Sequence, residues 1–241
     1  VKDVLGVLKM LMKFAVEELD QKIPSLNWNI IWPTSNNENY KIERYSQKQV
    51  RIIFDYIKEH PGNIATAVMV ALTTGMRIGE ICALRFSDID FSQNVIHVNK
   101  TMGRIYDSEL EKTKIIVNTP KTRNSRRDIP ITPSLKKILK AYAAVSGADY
   151  YVISCSDKCI EPRVLRENVG RLIKRAGVSP VLKFHSFRHT FATTMIENHI
   201  DPKTVSAILG HANVAITLNL YVHPSMETKA NAINKGLRGL L

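Results

Sequence analysis

Acidic residues are scarce in this chain: 22 Asp and Glu stand against 34 Lys and Arg, a formal net charge of +12. The deficit leaves no tight carboxylate cluster of the kind that holds two magnesium ions, which argues against two-metal nuclease chemistry. Cysteine is scarcer still. Cys82, Cys155 and Cys159 are too few and too unevenly placed for a disulfide framework, which fits a reducing cytoplasm. Cys155 and Cys159 form a C-x3-C pair with no second ligand pair near it, so they read as ordinary thiols rather than zinc ligands. Long apolar runs are missing too. The opening VKDVLGVLKMLMKF is broken by Lys2, Asp3, Lys9 and Lys13, and nothing approaches the ~20 apolar residues that span a bilayer. No repeat or low-complexity tract occurs.

What is present is ample apolar material and basic charge. At 241 residues and 44% hydrophobic, the chain can bury a real core in one large domain or two smaller ones. Its charge and a pI near 9.6 make a polyanion the first partner to consider, nucleic acid ahead of an anionic membrane surface, because clustered Lys and Arg displace counterions from phosphates. The first residue is Val, from which a fragment of a longer protein lacking an N-terminal domain is expected.

Residues 4–18 place Leu5, Leu8, Leu11, Met12 and Val16 near helical spacing. The following stretch, with two Pro, two Trp and the polar run Ser35 to Asn39, has the composition of a connector, and a domain boundary is expected there. Ser46 with Gln49 predicts a capped helix that stops at Pro61-Gly62. Residues 63–84 predict a buried helix, a break at Thr74-Gly75 and a second helix. From Asn94 to Ile131 the runs VIHV, KIIV and RDIPI predict a small three-stranded antiparallel sheet with Lys121 in the turn before its last strand. Helical patterns then return to the end of the chain. Among them, DPKTVSAILGHA opens on Asp201 as a cap with Pro202 at the first helical position. The fold class is therefore α+β, mostly helical.

HSFRHTFAT, residues 185–193, poses the chemical choice. His185 and His189 at i and i+4 would face one metal ion, but Ser186 stands where the zinc-hydrolase pattern has Glu, and a third ligand is missing. His185 and Arg188, three apart, share a helical face and can instead meet one phosphate, with His189 on a flank and Phe184, Phe187 and Phe191 anchoring the helix. A phosphodiester in its five-coordinate transition state spreads charge over two oxygens, so a second guanidinium is wanted. TTGMRIGEICALRF offers Arg77 at a helix head with Glu80 three residues on to hold it. TPKTRNSRRDIPI sets Lys121 on a hairpin turn amid Arg123, Arg126 and Arg127, suited to a groove of DNA or to a solvated basic loop. LGHANVAITLNLYVH places His211 at a helix end and Tyr221 ten residues later.

Together these stretches, from Tyr40 to His223 and in order, resemble the tyrosine recombinase (phage integrase) family, and especially the integrases of conjugative transposons. The resemblance implies catalytic roles for Arg77, Lys121, His185, Arg188 and His211, with Tyr221 as nucleophile and Glu80 and His189 in support. Thr190 also fits the family pattern; with Arg123, Arg126 and Arg127 of the basic turn it is taken as a DNA contact, and no metal and no other cofactor are expected. Gly79 stands where many relatives have Ser, a small-for-small change.

The implied chemistry suits the residue types. A phenol with a pKa near ~10 needs a base, for which His185 is the first choice, and cations to favour its attack. Arg77, Arg188 and His211 would hold the phosphate, and Lys121 would protonate the departing 5′ oxygen. The outcome is a 3′-phosphotyrosine that a second 5′ hydroxyl can resolve without ATP. The resemblance further implies that residues 1–37 are the last helix and linker of a core-binding domain and residues 38–241 the catalytic domain. Its partners would be double-stranded DNA and copies of itself in a tetrameric synapse, exchanging a C-terminal segment that carries Ile233, Leu237 and Leu241, with a directionality factor as a possible accessory. A cytoplasmic, nucleoid-associated protein is expected. A type IB topoisomerase, a non-catalytic DNA-binding regulator and a metal-dependent nuclease remain as alternatives.

Overall fold

The computed structural model describes residues 2–19, 42–107, 109, 111–118, 126–221, 226, 230, 233 and 234. The chain divides into two compact units, Val1–Tyr40 and Lys41–Leu241.

In the first unit the expected helix is α1, Lys2–Glu17. Leu5, Met12 and Ala15 are half-buried, whereas Val4, Met10, Leu11 and Phe14 are exposed. Among the described residues of that unit α1 is the only element.

The second unit begins at α2, Gln47–Glu59, where Ser46 and Gln49 form the expected reciprocal cap: Gln49 N donates to Ser46 Oγ and Ser46 N to Gln49 Oε1. Helix α3, Asn63–Thr74, is apolar on nearly every face and accordingly lies inside, packed against α2, α5, α6 and α7. It stops at Gly75, whose φ of 64° is the left-handed cap conformation, and α4, Ile78–Ala83, follows at once.

Five strands come next: β1 Ile89–Asp90, β2 Val95–Val98, β3 Thr101–Asp107, β4 Lys112–Asn118 and β5 Arg127–Pro130. They form two sheets. β1, β2 and β5 make an antiparallel three-stranded sheet in which Ile96 pairs with Ile89 on one side and Ile129 on the other. β3 and β4 make a separate hairpin from Thr101↔Asn118 to Asp107↔Lys112. The expectation that KIIV joins VIHV and RDIPI is thus corrected. β2 and β5 each bury a face, through Ile96, Val98 and Ile129, while β4 has no fully buried residue and pairs with TMGRIYD beside it.

Among the described residues five helices follow: α5 Pro133–Ala143, α6 Pro162–Arg175, α7 His185–Glu197, α8 Pro202–Leu209 and α9 Val214–Tyr221. Asp201 caps α8 as expected, accepting from Thr204 N at 2.9 Å, and Gly210 ends it with φ of 68°. The main core surrounds Tyr45, Ile53, Phe187 and the inner face of α3; a second cluster of Phe191, Ala192, Val205, Leu209 and Tyr221 joins α7, α8 and α9. The three cysteines are free. No described helix is long and apolar enough to cross a membrane. Ile233 is exposed, and Leu237 and Leu241 lie outside the described residues.

Candidate active site

The site is organised by the break after α3. A Cβ on Gly75 would stand 2.7 Å from both Leu209 Cδ2 and Phe191 Cδ1, so the space as well as the backbone angle requires glycine. The turn sets Arg77 at the head of α4. There the Arg77 backbone N–H donates to Glu80 Oε2 at 2.8 Å and its Nη1 to Glu80 Oε1 at 2.9 Å, the support expected of Glu80. Glu80 is buried, which by itself would raise its carboxyl; hydrogen bonds and charge from Arg127, reinforced by Arg77, hold it below the ordinary range instead.

Arg127 is the first correction to the expected DNA-contacting set. Its side chain is only 5% exposed, with Nη1 and Nη2 donating to the two oxygens of Glu80 at 3.0 and 2.9 Å and Nε to the Ile208 carbonyl at 2.6 Å. The strand alternation of RDIPI carried a signal for this, since Arg127 shares a face with buried Ile129. Thr190 is the second correction: 2% exposed, its hydroxyl donates to the Ser186 carbonyl and accepts from Tyr45 N, so it joins α7 to the start of the domain and does not reach outward. Arg126 is exposed at the foot of β5. Lys121 and Arg123 lie outside the described residues. Gly79 lies where α4 touches β3, and a Cβ there would meet the Met102 carbonyl oxygen at 2.5 Å.

Helix α7 brings the remaining groups. Arg188 is 2% exposed and its Nη1 donates to the Gly75 carbonyl at 3.0 Å, while Nη2, also buried, has no hydrogen-bond partner among the described residues. Burial, and then the charge of Arg77, pull Arg188 down to about 9. Two guanidiniums, Arg77 and Arg127, thus bond the single carboxylate of Glu80, and Arg188 feels the charge of all three. His185 is open to solvent; partial desolvation, then Arg188 and Arg77, lower its imidazole. Its ring meets that of His189 edge-on, with centroids 4.6 Å apart.

Tyr221 closes the site from α9. It is 7% exposed, and its hydroxyl lies 2.6 Å from His189 Nδ1. Burial raises its phenol, opposed by the charge of Arg188. His189, placed on a flank by its helical position, is therefore in direct contact with this hydroxyl. His211 is held through Nδ1 by the hydroxyl of fully buried Thr217 at 2.8 Å, and burial followed by the nearby arginines takes it down to about 4. Thr217 went unnoticed in the sequence, and no local pattern distinguishes it. Hydrogen bonds, ring contacts and mutual charge thus link Arg77, Glu80, His185, Arg188, His189, His211 and Tyr221 into one cluster. Among the described residues no group of three His, Cys, Asp or Glu could hold a metal ion.

Residues 43–228 match the sequence signature of the phage integrase family. The chain belongs to that family. This phage integrase family member is 32% identical to the tyrosine recombinase XerC-like protein of Caldanaerobacter subterraneus subsp. tengcongensis, over 97% of this chain and 64% of that protein. It is 28% identical to the transposase from transposon Tn916 of Enterococcus faecalis, over 67% of this chain and 42% of that one. The chain thus spans 42% to 64% of the length of these two curated relatives. The Tn1549 transposon integrase, solved in complex with transposon right end DNA, matches with a TM-score of 0.70 at 22% identity, covering 83% of this chain and 67% of that chain. At that identity the likeness is one of fold, and it is the fold of a tyrosine recombinase resembling transposon integrases.

Proposed function

We propose that this pocket grips one phosphodiester of double-stranded DNA and that Tyr221 attacks it, so that the protein cuts and rejoins strands at a specific site to integrate and excise a mobile element. The observation that carries the reading is the buried Nη2 of Arg188, a cationic donor with no described partner, in the same pocket as the Tyr221 hydroxyl. A phosphate oxygen supplies what that donor needs. Arg77 and Arg188 take the non-bridging oxygens, and a donated Thr217 hydroxyl bond to His211 Nδ1 leaves Nε2–H to give a third hydrogen bond.

Attack by Tyr221 forms a 3′-phosphotyrosine, and Lys121 gives a proton to the departing 5′ oxygen. The phenolic proton goes to a base, for which the candidates are His189, in contact with Tyr221, and His185, whose ring meets that of His189. Guanidiniums neutralise the phosphate, so no metal is required, and the phosphotyrosine conserves the bond energy, so no ATP is required.

In the same reading residues 1–37 end a core-binding domain, Arg123 and Arg126 contact the duplex, and four copies assemble on two duplexes through the C-terminal segment, under a directionality factor. Deleting residues 226–241 weakens assembly on DNA and spares the fold. The support for DNA as partner is the net charge of +12 and the relatives' solved complexes.

The central test uses a nicked duplex selected from a randomised pool by binding to the Tyr221→Phe chain. Wild type gives a denaturant-resistant protein-DNA band and Tyr221→Phe gives none. No band from wild type would favour a non-catalytic DNA-binding regulator, relaxation of a plasmid lacking the selected site a topoisomerase, and loss of cutting with a chelator a nuclease.

A further inference from the structure

We infer that His189, rather than His185, is the group that receives the proton of Tyr221. The inference rests on Tyr221 being the nucleophile. The Tyr221 hydroxyl lies 2.6 Å from His189 Nδ1, and among the described residues His189 is its only hydrogen-bond partner. The phenol has little freedom to seek another, because its ring is part of the apolar cluster with Phe191, Ala192, Val205 and Leu209. His185 meets the His189 ring edge-on and is exposed to solvent, and it is left to donate to the phosphate. The three rings form a series: His185, His189, Tyr221.

The electrostatics give this base a condition. Burial first, then His185 and Arg188, bring His189 down to about 4, so its imidazole is neutral at pH 7 and free to accept, yet only weakly basic. The groups around it are few. His185 and Arg188 lie on its own helix and Tyr221 on α9; α3 carries no ionisable side chain, and α8 carries only Lys203, exposed in its first turn. A phosphate bound on Arg188 offsets the positive charge that weakens His189. The imidazole becomes a stronger base once DNA is seated, which keeps the free protein's phenol protonated.

In the cleavage step the bond from Tyr221 Oη to phosphorus forms and the bond from phosphorus to the 5′ oxygen breaks. The phenolic proton passes to His189 Nδ1, and the 5′ oxygen takes a proton from the general acid assigned to Lys121. On rejoining, the incoming 5′ oxygen bonds to phosphorus as its proton passes to the now neutral Lys121, the bond from phosphorus to Tyr221 Oη breaks, and His189 returns its proton to Tyr221.

The test measures single-turnover adduct formation by the 241-residue chain on the selected nicked duplex. His189→Ala is expected to slow it by at least about 100-fold with duplex affinity unchanged, and added imidazole to restore part of the rate. His189→Asn keeps a hydrogen-bonding group near Nδ1 without basicity and is expected to be as slow, while His185→Ala retains the acid limb of the wild-type pH profile. A His189→Asn chain that cleaves at the wild-type rate, or an acid limb abolished by His185→Ala and kept by His189→Ala, overturns the inference while leaving the nucleophile intact. A wild-type chain that forms no adduct removes both.

Discussion

Arg127 and Glu80 meet through two parallel hydrogen bonds, 3.0 and 2.9 Å, both side chains almost wholly buried. Since Glu80 also receives Arg77, this pair fixes the Arg77 guanidinium through a strand 47 residues away. Removing one member of a buried pair leaves the other uncompensated, at a cost of about 3–5 kcal/mol. Arg127→Ala is expected to lower stability by that order in urea unfolding and to impair cleavage as well. An unchanged midpoint would mean that Arg77 alone satisfies Glu80. Because the carboxyl of Glu80 is held below the ordinary range, its contribution is complete above that range and is lost as pH falls through its depressed folded value.

His189 and His211 supply a second pH dependence at higher pH. Each falls from 6.5 in the unfolded chain to about 4 in the fold, so the unfolded state binds more protons between those values. Stability is therefore full above 6.5 and declines as pH drops toward 4. Unfolding followed across that window is expected to show the decline, and His211→Asn to flatten it. An equally steep profile in the variant would assign the protons elsewhere.

Gly79 permits the close approach of α4 to β3. Gly79→Ser, the residue expected from the resemblance, would press its Cβ against the Met102 carbonyl oxygen and the Thr101 hydroxyl, at 2.5 and 2.7 Å. A loss of about 1–3 kcal/mol is expected from such overpacking, read as a lowered melting temperature. A variant as stable as wild type would show that the hairpin shifts freely.

Arg126 and Thr190, grouped together by sequence, are expected to behave oppositely. Arg126→Ala should weaken duplex binding and reduce the salt slope by about 1, the effect of one lost phosphate contact, with stability unchanged. Thr190→Val should leave the salt slope alone and destabilise the fold by about 1–3 kcal/mol, since Tyr45 N–H loses its acceptor in a buried position. Titrations at several salt concentrations beside unfolding curves separate the two.

The chain's own order of residues determined the helices and the family. Caps such as Ser46 with Gln49 and Asp201, the apolar run of α3 and the helical spacing of His185 with Arg188 act over a few positions, so they are legible without a fold. Tertiary packing decided the rest. Whether RDIPI turns its arginine toward DNA or toward Glu80, whether KIIV pairs with VIHV or with TMGRIYD, and which imidazole touches a phenol 32 residues away all depend on how separate elements lie against one another. Periodicity sets which residues share a face; only packing sets what that face meets.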